Sequence, residues 1–514
     1  MKNLLDRTMI YSAYAYITIP FLIFTLGWIR LSYAIPIVGI VIVSTALSLK
    51  QYDLFRNVGL KNKLKKVLLV FVIIIVWVLL SGIGGYSLQN HDHFWRNAVL
   101  HDLINYDWPV IYKIHGLEIN HELEGKSCML VYYIGYWLPS ALIGKIGGWD
   151  AANFSLFIWT IIGLTLTYYF LCRLFSSFSL RILLIFIFWG ELCIIGILFT
   201  FSIRDILISE FNLYAGSMVY PSNTGLLYWV FNQTVTSWLI IVLLFNKIPP
   251  RNILFLYGLC LFQSSYAFLG LFPFIVYFMA KSYSRNKLSV RGISDRLFEL
   301  FSFQNIFGFS IVFLITLLYF KSNPSSENFA FLPRNMFVYF AFITLEFGFV
   351  SLLMYKKYKR EPIYYIAICS LLIIPFFYLG AWVAFVARVS IPSLFILMLL
   401  SIRYVFEEKK DWRMIILVIC LFVGAFPATK EILRSSAFLT VQSAAKTNIC
   451  YLLQTQNNRY VRKFGFKLEK LKHKNILIKD NLGTISNPNN HTMRNWMGVI
   501  DDSFFYKYIA KKGS

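Results

Sequence analysis

The sequence predicts an all-α, multi-pass membrane protein with about 13 transmembrane helices, the N-terminus in the cytoplasm and the C-terminus outside. Three observations predict this fold class. Apolar runs of about 17–25 residues recur along the chain. The short segments between them collect Lys and Arg, and one long segment is instead rich in acids and histidines. We divide the chain into a transmembrane domain, 1–430, and a small α/β or irregular tail domain outside the membrane, 431–514.

Composition agrees with the membrane class and argues against nucleic acid as a partner. The chain is 58% hydrophobic and only 14% charged, whereas soluble proteins carry about 25% charged residues. The net charge of +24 comes from short basic clusters between apolar runs, as the positive-inside rule predicts for cytoplasmic loops. We therefore expect an integral protein of a bacterial plasma membrane, surrounded by lipid and without a nucleic-acid partner.

The order of the spans follows from apolar length and from the charge of the connecting segments. The linker after the second span holds six basic residues against Asp53 and is predicted to be cytoplasmic. The third span then brings residues 86–128 to the outside. Residues 130–147 are short and broken by Pro139. If they spanned the membrane, Arg173 and Arg181 would fall outside, so charge favours an interfacial part of an outer loop, 86–150. The predicted spans are 8–28, 31–48, 67–85, 151–172, 180–201, 225–245, 306–320, 335–355, 362–382, 388–404 and 413–430.

The segment 252–280 is longer than one membrane span requires and shorter than two spans require. A hairpin that turns near Gln263-Ser264-Ser265 keeps the following basic cluster in the cytoplasm, so we predict two half-spans here. The buried ends of half-spans are tolerated where they line a cavity.

The outer loop concentrates the titratable side chains of the chain. Residues 86–128 hold five of the seven histidines and six acids against three bases. Because the rest of the chain is apolar or basic, we expect the chemistry of this protein at the outer membrane face.

Asp92 follows directly after the third span, where an acid can face a lipid-borne substrate and still reach water. Trp95, Val99 and Leu103 recur at helical spacing and predict an amphipathic surface helix. Asp92 and Arg96 are four residues apart and would pair on that helix. Asp92 is either the cap of this helix or the catalytic carboxylate, and we select it as the catalytic candidate.

The histidines of the outer loop make a metal site an alternative interpretation. His91 and His93 flank Asp92, and His101 or His121 would complete a ligand set, but the spacing is not diagnostic. We predict no cofactor and keep a divalent metal as the alternative; solvated surface histidines are the other explanation.

Arg388 is the only charged residue between Ile363 and Ile402. An ionisable side chain in such an apolar stretch is costly and indicates a function. Its guanidinium suits a phosphate, unless it only extends to the interface. Polar residues inside or between spans either join helices or line a cavity. With Arg388, the predicted substrate-binding residues are His93, Arg96, Asp102, Glu210, Gln233 and Tyr266.

The order of these features resembles the GT-C membrane glycosyltransferases, which include protein O-mannosyltransferases and the aminoarabinose transferase of lipid A. That family has an aspartate in its first outer loop, then a surface helix, then a returning span that ends in basic residues. The likeness covers roughly residues 67–285. Asp92-His93 replaces the family's Asp-Glu pair, and Cys128-Met129-Leu130 stands in place of its Pro-Pro-Leu. The matching segments are Asp92 to Arg96, Asp102, Asp107-Trp108-Pro109, Met129 to Trp137 and 151–173.

The resemblance implies a sugar donor linked to polyprenyl phosphate or diphosphate, and a glycan, lipid or protein acceptor. Asp92 would orient or deprotonate the acceptor hydroxyl, and Arg388 would stabilise charge on the leaving phosphate. The chain has no Gly-rich nucleotide loop, which agrees with a lipid-linked donor.

Three other functions stay open. A polysaccharide polymerase or ligase of the O-antigen or capsule type uses the same donors. A flippase or transporter of lipid-linked sugars often shows internal repeats and charges near the midplane; this sequence shows no repeat, and Glu191 is its clearest intramembrane charge. An assembly protein would leave the polar outer loop unexplained.

Overall fold

The computed structural model describes residues 2–50, 64–114, 125–200, 214–246, 248–284, 299–323, 329–379, 384–407, 411–445 and 496–512. Within these residues the protein is mostly helical. In the described part of the chain, eight helices are long and apolar enough to cross a membrane, and two shorter apolar helices accompany them. The predicted class, a multi-pass α-helical membrane protein, is therefore confirmed, with eight spans by length and composition where the sequence predicted about 13.

The elements of the first half of the described chain are α1 (Lys2–Trp28), α2 (Leu31–Lys50), α3 (Leu64–Leu79), α4 (His91–Asn105), β1 (Ile111–Lys113), β2 (Ser127–Leu130), α5 (Leu138–Leu174), α6 (Leu180–Phe188), α7 (Cys193–Thr200) and α8 (Asn223–Phe245). Those of the second half are α9 (Ile253–Gln263), α10 (Ser265–Ser284), α11 (Phe309–Lys321), β3 (Phe329–Phe331), α12 (Met336–Ile343), α13 (Phe349–Tyr358), α14 (Pro362–Ile373), β4 (Phe377–Leu379), α15 (Ala384–Val389), α16 (Ile391–Glu407), α17 (Trp412–Gly424), α18 (Phe426–Ala445) and β5 (Met497–Val499).

The surface helix predicted after the third span is α4. Asn90 caps it, because its side chain accepts a hydrogen bond from the Asp92 backbone N–H at 3.1 Å; the capping role considered for Asp92 thus belongs to its neighbour. Val99 and Leu103 are fully buried. We call the face of the protein that carries α4, β1 and β2 the site face.

The segment 130–147, predicted to be interfacial, contains the start of α5. This helix is interrupted at Gly148, whose φ of 79° lies in the left-handed region that favours glycine. Ile146, just before the interruption, is 90% exposed. The long buried part of α5 therefore begins after Gly148, as the predicted span 151–172 requires.

A small antiparallel sheet on the site face joins distant parts of the chain in the order β1-β2-β5. Beyond β2, the Val131 N–H donates to the Trp496 carbonyl at 2.8 Å. The Arg30 side chain, at the end of α1, donates to the carbonyls of Ala510 and Lys507 at 2.9 and 2.7 Å. Residues 496–512 are thus part of the site face.

The structure differs from the predicted tail domain, or describes it incompletely, at three places. Helix α18 runs through the boundary predicted at residue 430. Residues 446–495, the bulk of the predicted domain, lie outside the described residues. The described end of the tail, 496–512, is a strand and a short helical turn packed on the transmembrane body.

The chain reverses direction at Ser264, where the sequence predicts a hairpin. Ser264 has non-helical dihedral angles between α9 and α10. Tyr257 and Phe268 stack with ring centroids 3.9 Å apart, which a continuous helix cannot achieve across eleven residues. A Cβ on Gly270 would lie 1.9 Å from the Val389 carbonyl oxygen, so only glycine allows α10 to pack this closely on α15.

Candidate functional site

The first turn of α4 presents a carboxylate–guanidinium pair at the site face. Arg96 Nη2 donates to Asp92 Oδ2 at 3.0 Å, as the four-residue spacing predicts. Asp92 is partly exposed, whereas the Arg96 side chain is buried and stands over the Phe231 ring at 5.1 Å. Among the described residues, the buried Nη1 of Arg96 has no hydrogen-bond partner. One edge of this guanidinium therefore remains available to an acceptor.

Arg388 reaches the same region from α15. Its Nη1 donates to the Tyr133 hydroxyl at 2.7 Å, and the guanidinium stands over the rings of Tyr133 and Tyr266 at 5.8 and 5.6 Å. It also interacts electrostatically with Asp92. The lone charge of an apolar stretch is thus held between aromatic rings beside the polar loop, which a side chain that only extends into water would not need.

The two arginines form one electropositive site with a single carboxylate. Burial lowers the pKa of the Arg96 guanidinium; Asp92 opposes this effect, and the nearby charge of Arg388 adds to it. Two positive charges close together favour an anion between them, and guanidinium groups bind phosphate oxygens in a fixed geometry. We call Asp92, Arg96, Arg388, Tyr132 and Tyr133 the arginine site.

Tyr132 and Tyr133 were not selected from the sequence, although they lie in the Met129 to Trp137 segment compared with the GT-C surface helix. Their hydroxyls are hydrogen-bonded to each other. Tyr132 packs on Trp496 with ring centroids 4.1 Å apart, and Trp496 packs on Trp95 at 6.2 Å. The last described segment of the chain therefore forms an aromatic wall beside the arginine site.

Gln233 and Tyr266 hold the helix reversal beneath the site. The side-chain oxygen of Gln233 accepts a hydrogen bond from the Tyr266 N–H at 3.3 Å, and the Gln233 carbonyl accepts one from the Ser264 hydroxyl. The Tyr266 hydroxyl donates to the Leu379 carbonyl at 3.2 Å. Tyr266 thus contacts Arg388 directly, while Gln233 positions Tyr266.

His93 is buried next to Arg96, and both side chains contact the Phe231 ring. It is 2% exposed and stacks on Phe231 at 5.8 Å. Burial, assisted by the charge of Arg96, lowers the pKa of His93 from 6.5 to about 3, so the ring is neutral at physiological pH. The structure gives His93 a place in the packing beneath α4, where the sequence predicted a substrate contact.

Asp102 lies further along α4, in contact with β1. It is fully buried, and it accepts a hydrogen bond from the Tyr112 hydroxyl at 2.7 Å. This bond joins α4 to β1. Glu210, the remaining predicted substrate-binding residue, lies outside the described residues.

In the part of the chain that the structure describes, no group of three His, Cys, Asp or Glu side chains converges. This part therefore contains no ligand set for the alternative of a divalent metal. His115 and His121 lie outside that part.

Comparisons with protein-family models, with curated proteins and with solved structures found no match to this chain.

A second polar cluster lies within the membrane-spanning region. Glu191 occupies the break between α6 and α7, and Glu346 lies in the wide helical turn Thr344–Gly348 between α12 and α13. Both are almost completely buried. The Tyr214 hydroxyl donates to Glu346 Oε1 at 2.6 Å, while Glu191 Oε1 and Glu346 Oε2 have no partner among the described residues. Irregular turns of this kind are frequent at functional sites.

Proposed function

We propose that this protein is a membrane glycosyltransferase that transfers a sugar from a polyprenyl phosphate or diphosphate donor to an acceptor at the extracytoplasmic face. One observation carries the proposal: Arg96 and Arg388, brought from remote parts of the chain, interact electrostatically with each other and with the partly exposed carboxylate of Asp92. The arginines can bind the phosphate of the donor, and the carboxylate can accept the proton of the acceptor hydroxyl.

Each group has a role in the transfer. The acceptor oxygen forms a bond to the anomeric carbon while the bond from that carbon to the phosphate oxygen breaks. Asp92 accepts the proton of the hydroxyl. The phosphate leaves with the electron pair, and Arg388 and the free edge of Arg96 stabilise its charge. The acceptor is a glycan, a lipid or a protein.

The proposal includes a topology. About 13 membrane crossings, counting the α9–α10 reversal as two half-spans, place the N-terminus in the cytoplasm and the site face outside a bacterial plasma membrane. The basic segments on the other side support this orientation.

Donor binding tests the proposal with the purified full-length protein in nanodiscs. We expect polyprenyl phosphate to bind, polyprenol without phosphate to bind much more weakly, and the double variant Arg96→Gln/Arg388→Gln to lose the preference for phosphate. Arg7→Gln, which removes an exposed arginine near the N-terminus, should bind like the unmodified protein. Equal binding of polyprenol and polyprenyl phosphate would contradict the proposal.

Transfer is then followed in vesicles that contain lipid-linked sugars, by the appearance of glycosylated acceptor and free polyprenyl phosphate. Addition of one sugar indicates a single-transfer enzyme, whereas long products or transfer of whole chains indicate the related polymerase or ligase.

Translocation of lipid-linked sugars is the second candidate, favoured by Glu191 and Glu346. Carboxylates inside a membrane mark proton relays and ion pathways in transporters. Vesicles loaded with a labelled lipid-linked sugar separate the two functions, because a flippase moves the label across the membrane without cleaving it. Movement that is lost in Glu346→Gln, with no sugar transfer, would favour this candidate.

A further inference from the structure

A groove between α13 and α17 combines an apolar floor with a positively charged mouth. It encloses about 410 Å³ and is lined by Phe349, Leu352, Leu353, Tyr355, Lys356, Lys359, Trp412 and Arg413. The groove lies at the end of α13 and the start of α17, and none of the residues of the arginine site lines it.

The three cations of the groove lack a neutralising carboxylate among the residues that the structure describes. Lys356, Lys359 and Arg413 form no ion pair with a carboxylate in the described part of the chain. The neighbouring acids are already engaged. Glu361 and Glu407 pair with Arg403 at 3.3 and 2.8 Å, and Asp411 caps α17 through the Met414 N–H at 2.8 Å. Within the described residues, the mouth of the groove thus carries three positive charges without an ion-pair partner.

The apolar part of the groove faces outward. Trp412 is 60% exposed, and Phe349 and Leu352 are exposed beside it. Arg413 stands over the Trp412 ring at 5.1 Å. Tryptophan is enriched where a membrane meets water, so Trp412 marks the level of the lipid headgroups, with the apolar floor at the depth of the acyl chains.

We infer that this groove binds an anionic phospholipid. Its phosphate lies among Lys356, Lys359 and Arg413, and its acyl chains follow Phe349 and Leu352. Basic pockets between transmembrane helices on the cytoplasmic side bind headgroups of this charge. The volume suits part of one lipid molecule. This inference does not depend on the glycosyltransferase proposal.

The test compares lipids on the purified full-length protein in neutral detergent. Phosphatidylglycerol should raise the thermal unfolding temperature at low concentration, and phosphatidylcholine should not. In Lys356→Gln/Lys359→Gln/Arg413→Gln, the concentration needed should rise roughly 100-fold. The control Lys65→Gln/Lys66→Gln/Lys281→Gln removes three exposed lysines elsewhere and should keep the unmodified response.

A second measurement uses only variants that leave the charges intact. Phosphatidylglycerol with brominated chains should quench Trp412 fluorescence more than brominated phosphatidylcholine does, and Trp412→Phe should abolish that difference. Equal effects of the two lipids would overturn the inference. A full response to water-soluble glycerol phosphate would also overturn it, because it would show a phosphate site without lipid.

Discussion

The Asp92 carboxylate accepts a hydrogen bond from Arg96 at 3.0 Å, yet the two side chains differ in exposure, 37% for Asp92 and 5% for Arg96. The pair therefore spans the boundary between the water-facing surface of α4 and the buried arginine site. A pair with one buried partner is weak evidence for stability, because the cost of taking the buried charge out of water offsets its attraction to the other charge. The proposed transfer uses both members of the pair, the carboxylate toward the acceptor and the guanidinium toward the phosphate.

Asp92→Asn should fold and insert normally but lose roughly 100- to 10,000-fold in transfer rate, because the amide keeps the shape without the basicity. Transfer from a polyprenyl-linked donor in vesicles measures the effect. Asp107→Asn, which changes an exposed carboxylate of the same loop, serves as the control and should stay active. Near-normal turnover of Asp92→Asn would remove Asp92 from the mechanism.

Arg388→Lys should lose most activity while the protein reaches normal membrane levels. Lysine keeps the charge but cannot match the planar fork of arginine, which here also packs between Tyr133 and Tyr266. The measurement is sugar transfer at equal protein amounts, with Arg7→Lys as the matched substitution. Full activity of Arg388→Lys would show that a charge at the interface suffices.

His93 should make the protein sensitive to mild acid. Its pKa is about 3 in the folded protein, below the value of about 6.5 that it has when unfolded. The unfolded state therefore takes up a proton first as pH falls below about 6.5, and stability falls progressively toward pH 3. The loss at pH 5 is about 2 kcal/mol. Thermal unfolding at pH 7 and pH 5 should differ less in His93→Phe than in the unmodified protein.

Tyr112→Phe should destabilise the protein by about 1–3 kcal/mol, because it leaves the buried Asp102 carboxylate without its hydroxyl donor. Tyr106→Phe is the control, since Tyr106 packs against Tyr112 through its ring. We expect a lower unfolding temperature only for Tyr112→Phe, with transfer activity retained at low temperature. A selective loss of activity without destabilisation would return Asp102 to the substrate site.

Reporter fusions test the orientation. Fusions after residues 62 and 290 should report the cytoplasm, and fusions at 440 and 514 should report the outside, because basic segments stay in the cytoplasm. In the structure, Ser435 of α18 donates to the Leu80 carbonyl beyond the end of α3, which brings residue 440 toward the site face. A cytoplasmic signal at 514 would contradict the proposed position of the arginine site.

Local spacing predicted the parts of the site that lie on one element. The Asp92–Arg96 pair and the break at Ser264 follow from neighbouring residues, and Arg388 follows from its isolation in an apolar run. The contacts of His93 and Asp102 could not be predicted from the sequence, because successive helical residues are about 100° apart around the axis and neighbours along α4 face different surroundings. The wall formed by Tyr132 and Trp496 depends on a pairing between segments that are distant in the sequence.

That pairing has a consequence for how the protein is made. Strand β2 is synthesised long before β5, and Trp496, which covers Tyr132, arrives with β5. During the interval β2 has one open edge, which is prone to pair with other chains. The small sheet and the aromatic wall on the site face are therefore complete only after residues 496–512 have been synthesised.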